Sequence, residues 1–270
     1  MTNMTQEERL EYLVEEFKTE SGEYRSLRTP RDPEGRRRVL RSLMNVRMPG
    51  PMAEDVTQVQ NAYLRERAAE KGVVRLSEIP VTGSGLSIWQ GDITRLAADA
   101  IVNAANSQML GCFIPMHTCI DNCIHTFAGV QLRAACAEKM DVLRQRYGPD
   151  YEQPTAIPML TDAYNLPAKS VIHVVGPIVY EALTSELEQN LVDCYWNVLD
   201  LCREHGLRSV AFCCISTGVF RFPNERAAEI AVDTVTQWLQ DHPGSVERVI
   251  FNVFKETDKA CYEKLLRSPA

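Results

Sequence analysis

The chain has 270 residues, 45% of them hydrophobic, which is enough for a full core in one large domain or in a domain with an appendage. Its formal net charge of -7 argues against tight non-specific binding to a phosphate backbone, so no nucleic-acid partner is expected. No segment reaches the ~18 apolar residues of a membrane span. Glu7, Glu8, Glu11, Glu15 and Glu16 interrupt the apolar residues near the start, unlike the basic opening and continuous apolar stretch of a signal peptide. Nine cysteines scattered irregularly from Cys112 to Cys261 suit a reducing compartment better than a disulfide framework. The expectation is a cytoplasmic protein with no membrane partner.

Leu10, Leu13, Val14 and Phe17 recur at helical spacing. Pro30, Pro33 and Gly35 punctuate the entry to a second helix, predicted over about 36 to 46. Arg36, Arg37 and Arg38 form the one dense basic run and read as its solvated face. Val56, Val59, Ala62, Tyr63 and Ala69 mark a third amphipathic segment ending near Gly72. Residues 1–75 thus read as a small N-terminal helical extension, in which nothing resembles a reaction centre.

A seam at IPVTGSG opens the second region, residues 76–270. Apolar runs rich in β-branched residues follow at LSIWQ, AIVNAA, VIHVV, VAFCCIS and VIFNVF, each predicted as a buried strand. Helical patterns cover about 121 to 138, 183 to 205, 224 to 241 and 257 to 267. That alternation predicts an α/β sandwich with a largely parallel or mixed sheet. Ligands of such sheets bind beyond the carboxyl ends of the strands, so function is sought in the loops there.

Gly91-Asp92-Ile93-Thr94 follows the first strand, and Asp92 suits either a base amino group or a helix cap. Asn103 and Asn106 lie where the chain leaves AIVNAA, and their amides offer donor and acceptor to sugar hydroxyls as well as to turns. The next loop, GCFIPMHTCIDN, crowds Cys112, His117 and Cys119 together. Two thiolates and an imidazole suit tetrahedral Zn(II), and three protein ligands leave a fourth position for water or substrate. Cys123 and His125 are candidate fourth ligands that would close the site, and buried cysteines serving as small hydrophobes are the alternative. In ISTGVFRFPNE, residues 215–225, backbone N–H groups after a strand suit a phosphate, with Asn224 a candidate cap for the next helix. The P-loop lysine is missing, which favours binding a diphosphate over hydrolysing a nucleotide.

In chain order, GDIT, AIVNAANSQMLG, DNCIHTFAG, YNLPAKSVIHVVGPI, ISTGVFRFP and FNVF together resemble a macrodomain, over nearly all of residues 85–268. The resemblance implies a three-layer α/β/α fold with a mixed central sheet and an ADP-ribose site. Hydrolytic macrodomains commonly carry a run of glycines before the Asp that opens the helix, and here GCFIPMHTCIDN stands in that place. That insertion and the helical extension resemble the zinc-dependent subgroup, bacterial and fungal proteins that remove ADP-ribose from proteins.

From that resemblance, Cys112, His117 and Cys119 are the ligands of one Zn(II) per chain, and His125 is structural. Asp92 and the Ile93 backbone meet the adenine. Asn103, Cys119 and Ile120 line the ADP-ribose site, and Asn106 and Asp121 face the terminal ribose as the catalytic pair, unless Asp121 merely caps its helix. Ser216, Thr217, Gly218, Val219 and Phe220 wrap the diphosphate, and Phe254 flanks the adenosine. Arg221 stands where many members have a small residue. The expected function is zinc-dependent release of mono-ADP-ribose from protein side chains. A non-catalytic ADP-ribose reader and an O-acyl-ADP-ribose deacylase are the alternatives. The partner the resemblance implies is a lipoyl-carrier protein modified by a sirtuin-type ADP-ribosyltransferase.

Overall fold

Thr5 and Glu8 cap each other reciprocally, backbone N–H to side-chain oxygen, and so begin α1, Gln6–Ser21. The coordinates are a computed structural model that describes residues 4–82 and 84–267. Asp32 caps α2, Pro33–Val46, through the Gly35 N–H. The helix begins at Pro33 rather than near residue 36, because proline at the first position loses an N–H that had no partner anyway. α3, Glu54–Lys71, ends at Gly72. These helices bury Leu10, Leu13, Val14, Phe17, Val56, Val59 and Tyr63 in a core of their own, which Val130 from the next region completes. Arg36 and Arg37 lie beside Glu7 and Glu34, and Arg38 is exposed.

The main sheet contains β2 (Leu86–Gln90), β4 (Ala100–Ala105), β5 (Met159–Asp162), β6 (Ser170–Val175), β7 (Ser209–Phe212) and β8 (Arg248–Val253). Its order is β2-β8-β7-β4-β6-β5, parallel throughout except for the antiparallel edge strand β5. β4, β6, β7 and β8 are buried at nearly every position, which requires cover on both faces. That cover comes from α4 (Ile120–Ala128), α5 (Val130–Tyr147), α6 (Ser185–Glu204), α7 (Asn224–Asp241) and α8 (Glu256–Arg267). The result is a three-layer α/β/α arrangement with a mixed sheet. A separate pair, β1 (Val74–Arg75) and β3 (Leu96–Ala97), ties the end of α3 to the main region.

Three local expectations differ from the structure. The helix expected over 121 to 138 is two helices, broken at Gly129, whose φ of 102° favours glycine, and the second runs on to Tyr147. VAFCCIS leaves the sheet after Phe212, since the following segment turns at Ser216 with a φ of 65°. β1, β3 and β5 carry too few residues to give a periodic signal. Among the described residues no helix is long and apolar enough to cross a membrane.

Candidate active site

Parallel strands bring their carboxyl ends to one edge, where β2, β4, β6, β7 and β8 release the loops singled out above. Cys119 starts α4, its Sγ accepting from Asn122 N at 3.4 Å, so Cys119 and not Asp121 is the cap. Asp121 lies inside the first turn, 5% exposed. Its Oδ1 accepts from Asn103 Nδ2 at 2.8 Å, and Asn106 Nδ2 stands 3.4 Å from Oδ2. Burial pushes the carboxyl up to about 6, against the Asn103 hydrogen bond and the Arg133 charge.

Asn103 is fully buried beneath Asp121, so its amide reaches the carboxylate rather than a ligand at the surface. The same Nδ2 lies 3.0 Å from His173 Nδ1. An amide nitrogen only donates, so His173 Nδ1 accepts, and its Nε2–H donates to Thr161 Oγ1 at 3.0 Å. Burial holds the His173 imidazole down to about 3, and it is neutral.

Above this layer, Gly111 (φ 81°) turns the chain into the cysteine loop; a Cβ there would come within 2.8 Å of the His125 ring. The Cys112, His117 and Cys119 ligand atoms all lie within 4.8 Å of one another, with Cys112 Sγ 3.6 Å from His117 Nδ1. Burial chiefly pushes the Cys119 thiol up to about 12. Neither candidate fourth ligand joins the set: Cys123 Sγ sits 3.7 Å from Arg41 Nη2, and His125 is buried beside Asp121. His125, Cys136 and His173 form a second cluster, but both His173 nitrogens are already engaged, leaving no lone pair for a cation.

The loop after β7 is a tight turn with open backbone donors. Phe222 N returns to Ser216 O at 3.0 Å and Thr217 Oγ1 donates to Cys214 O at 3.0 Å, closing a tight turn. The N–H groups of Gly218, Val219 and Phe220 make no hydrogen bond among the described residues. Ser216 Oγ is buried without a partner against Gly176, where an added Cβ would lie 2.1 Å from it. Val219 is 75% exposed and Phe220 half-buried. Arg221 is exposed with a φ of 59°. Asn224 does not cap α7, which starts from Pro223; its side chain donates to Asp258 instead.

Asp92 performs the capping role: Oδ1 accepts from Thr94 N at 3.0 Å and from Thr94 Oγ1 at 2.6 Å. Its Oδ2 lies 4.0 Å from Lys71 Nζ. The Ile93 side chain is buried. Gly91 N bonds Val253 O at 2.9 Å, which sets Asp92 beside the end of β8, where Phe254 is 75% exposed.

These loops can be weighed against known proteins. The Macro domain family profile matches residues 102–231, which include most of β4, the cysteine loop, Asp121 and the Ser216 turn. A protein-ADP-ribose hydrolase of Treponema medium is 48% identical over 267 residues, covering 97% of this chain and 100% of that protein. This chain belongs to the macrodomain family. A second protein-ADP-ribose hydrolase, from Staphylococcus aureus strain Mu50, is 43% identical to this macrodomain, over 97% of the chain and 96% of that protein. The Trypanosoma brucei macrodomain in complex with ADP-ribose superposes with a TM-score of 0.64 at 25% identity, over 88% of this chain and 97% of that one.

The structure thus gathers Asn106, Cys119, Ile120 and Asp121 at one point, with Asp92 and Phe254 at one end of the sheet edge and residues 216–220 on the loop after β7. Sequence reading missed His173 and Asn122. His173 lay inside a run read as strand core, where its one signal was a titratable residue among valines and isoleucine. Asn122 Nδ2 donates to Cys112 O at 3.2 Å and Ile114 O at 3.0 Å, a role that no spacing pattern announces.

Proposed function

We propose that this macrodomain is a cytoplasmic hydrolase that cleaves mono-ADP-ribose from modified protein side chains and releases ADP-ribose. The observation that carries the reading is the buried Asp121 carboxylate, held by Asn103 and flanked by Asn106, one turn from a three-ligand Cys112–His117–Cys119 set. The names of the bacterial relatives and the ADP-ribose complex of the trypanosomal macrodomain support it.

In this reading Asp92 and the Ile93 backbone receive the adenine, Asp92 through Oδ2, the oxygen that the Thr94 cap does not use and that lies 4.0 Å from Lys71 Nζ, and Phe254 covers the adenosine. The N–H groups of residues 218–220 receive the diphosphate, with Ser216 and Thr217 shaping the turn. Remote binding energy then places the terminal ribose against Cys119, Ile120, Asn106 and Asp121. Asn103 acts through Asp121 as a positioning residue. Asp121 orients the attacking water and takes its proton as the bond from C1'' to the protein side chain breaks. A carboxylate raised toward neutrality suits that transfer.

The donor set fits one Zn(II) per chain, since thiolate and imidazole are its preferred ligands and no fourth protein ligand joins them among the described residues. When bound, zinc supplies a Lewis acid beside the terminal ribose. The acceptor is a mono-ADP-ribosylated protein, and the resemblance favours a lipoyl carrier modified by a sirtuin-type transferase.

The test is release of ADP-ribose from a mono-ADP-ribosylated protein by purified enzyme, with O-acyl-ADP-ribose run alongside and binding of ADP-ribose titrated separately. Release from protein, lost in Asp121→Ala, supports the hydrolase. Binding without release from any linkage points to the reader, and turnover of the acyl ester alone points to the deacylase.

A further inference from the structure

Among the described residues, the loop bearing the three metal-ligating side chains has one backbone hydrogen bond of its own, His117 N to Ile114 O at 3.2 Å. A segment so poor in internal bonds takes its shape from whatever grips it. From α4, Asn122 grips Cys112 O and Ile114 O. From α5, Arg133 lies 4.0 Å from the Phe113 ring centroid and donates to Cys112 O at 3.5 Å. Asn106 Nδ2 donates to Gly111 O at 3.2 Å where the loop begins, and a further grip comes from α2, in the N-terminal extension. Asn45 Oδ1 accepts from Met116 N at 3.0 Å, and Arg41 Nη2 donates to His117 O at 2.7 Å.

The two grips are tied together. Arg41 Nη2 also reaches Asn122 Oδ1 at 3.0 Å, so one guanidinium nitrogen touches the backbone of one ligand and the amide that holds another. Asn45 Nδ2 donates to Thr126 Oγ1 at 2.8 Å, joining α2 to α4 one turn further on. Arg41 Nε, meanwhile, is buried without an acceptor. The guanidinium is half-buried, 5.6 Å from the Phe127 ring centroid, and its hydrogen bonds among the described residues go to His117, Asn122 and Cys123, all in the cysteine loop or the first turns of α4. The position makes physical sense as a device for the loop.

We propose that α2 is a working part of the metal centre: Arg41 and Asn45 are positioning residues that hold His117 and its loop in the converged arrangement, so the helical extension sets metal affinity. The inference rests on the zinc reading above but not on hydrolysis, and its test reads the metal directly. Zinc affinity is measured in the full chain by competition with a chromophoric chelator, and ligand geometry by the visible absorption of the Co(II)-substituted protein. Arg41→Met, which keeps the stem and removes the donors, is expected to bind zinc roughly 10–100-fold more weakly with a changed Co(II) spectrum. Its zinc-free form should still fold, with a modest loss of thermal stability from the acceptors left on Asn122 and His117, and its ADP-ribose affinity should be unchanged. Arg41→Lys, with one point charge in place of a fork, should fall between. Native zinc affinity and a native Co(II) spectrum in folded Arg41→Met, or in folded Arg41→Lys should the first variant not fold, would overturn the proposal. A wild-type chain that takes up no zinc instead sinks the metal reading beneath it.

Discussion

Asn103 donates to Asp121 Oδ1 at 2.8 Å from a fully buried position, so the orientation of the site carboxylate is set from inside the sheet. Removing that donor leaves Asp121 buried and held only by the longer Asn106 and His125 contacts, at 3.4 and 3.5 Å. Asn103→Ala should lower kcat for ADP-ribose release by about tenfold or more, matching the ~1–3 kcal/mol of a charge-assisted hydrogen bond, with KM little changed. Steady-state kinetics on a modified protein checks it; a rise in KM with unchanged kcat would move Asn103 from positioning to ligand contact.

His173 gives a pH dependence whose sign is fixed by its burial. Its folded pKa is depressed to about 3 from the ordinary 6.5 of histidine, so the unfolded chain takes up this proton first as pH falls. The associated stability is complete above pH 6.5 and lost on acidification toward 3. At pH 4.5 the loss should reach about 2–3 kcal/mol. Urea unfolding at pH 7 and 4.5, compared with His173→Gln, isolates the contribution, since glutamine offers an acceptor and a donor without titrating. Equal losses in both proteins would assign the acid sensitivity elsewhere.

For the cysteine loop the expectation is about one zinc per purified chain, bound tightly enough to survive ordinary handling. Cys119→Ala should empty the site and also remove the side-chain cap on Asn122 N, at ~1 kcal/mol of stability. Chelated enzyme should lose ADP-ribose release and keep most of its ADP-ribose affinity, because the proposed adenine and diphosphate contacts lie in other loops. Metal analysis and titration calorimetry read both. Full zinc in the Cys119→Ala protein would remove that residue from the ligand set.

The cap that Asp92 makes on Thr94 is separable from its proposed role at the adenine. Asp92→Asn can keep the Oδ1 cap on Thr94 while losing the charge that would face the adenine, whereas Asp92→Ala loses both. ADP-ribose affinity should fall by ~1–3 kcal/mol in each, and thermal stability only in the alanine variant. Unchanged affinity in Asp92→Asn would leave the residue a cap alone.

Gly176, just past the end of β6, tests the proposed diphosphate loop. A Cβ there would lie 2.1 Å from Ser216 Oγ and 2.7 Å from Ile215 Cγ2, so Gly176→Ala must displace the turn that presents the N–H groups. ADP-ribose should bind about tenfold more weakly, ~1.4 kcal/mol, in a protein that still folds. Native affinity in that variant would argue that the diphosphate lies elsewhere.

Much of this could be seen in the residue order. Helical spacing in α1 and α3, the β-branched runs of β2, β4, β6 and β8, and the crowding of Cys112, His117 and Cys119 are local properties, set by side-chain periodicity and ligand chemistry within a few residues. The break at Gly129 was less visible, because its neighbours continue the apolar pattern on both sides and only the backbone's φ marks the change.

What spacing could not give was the company each side chain keeps. Asn103 as support rather than ligand contact, His173 beneath it and Cys119 in place of Asp121 as the cap all depend on contacts between separate parts of the chain or on the local turn. Arg41, 76 residues before His117, reaches the cysteine loop only because α2 packs on α4. Hydrogen bonds act over about 3 Å whatever the distance along the chain, so such partnerships leave no periodic trace in the sequence and exist only once the layers have closed.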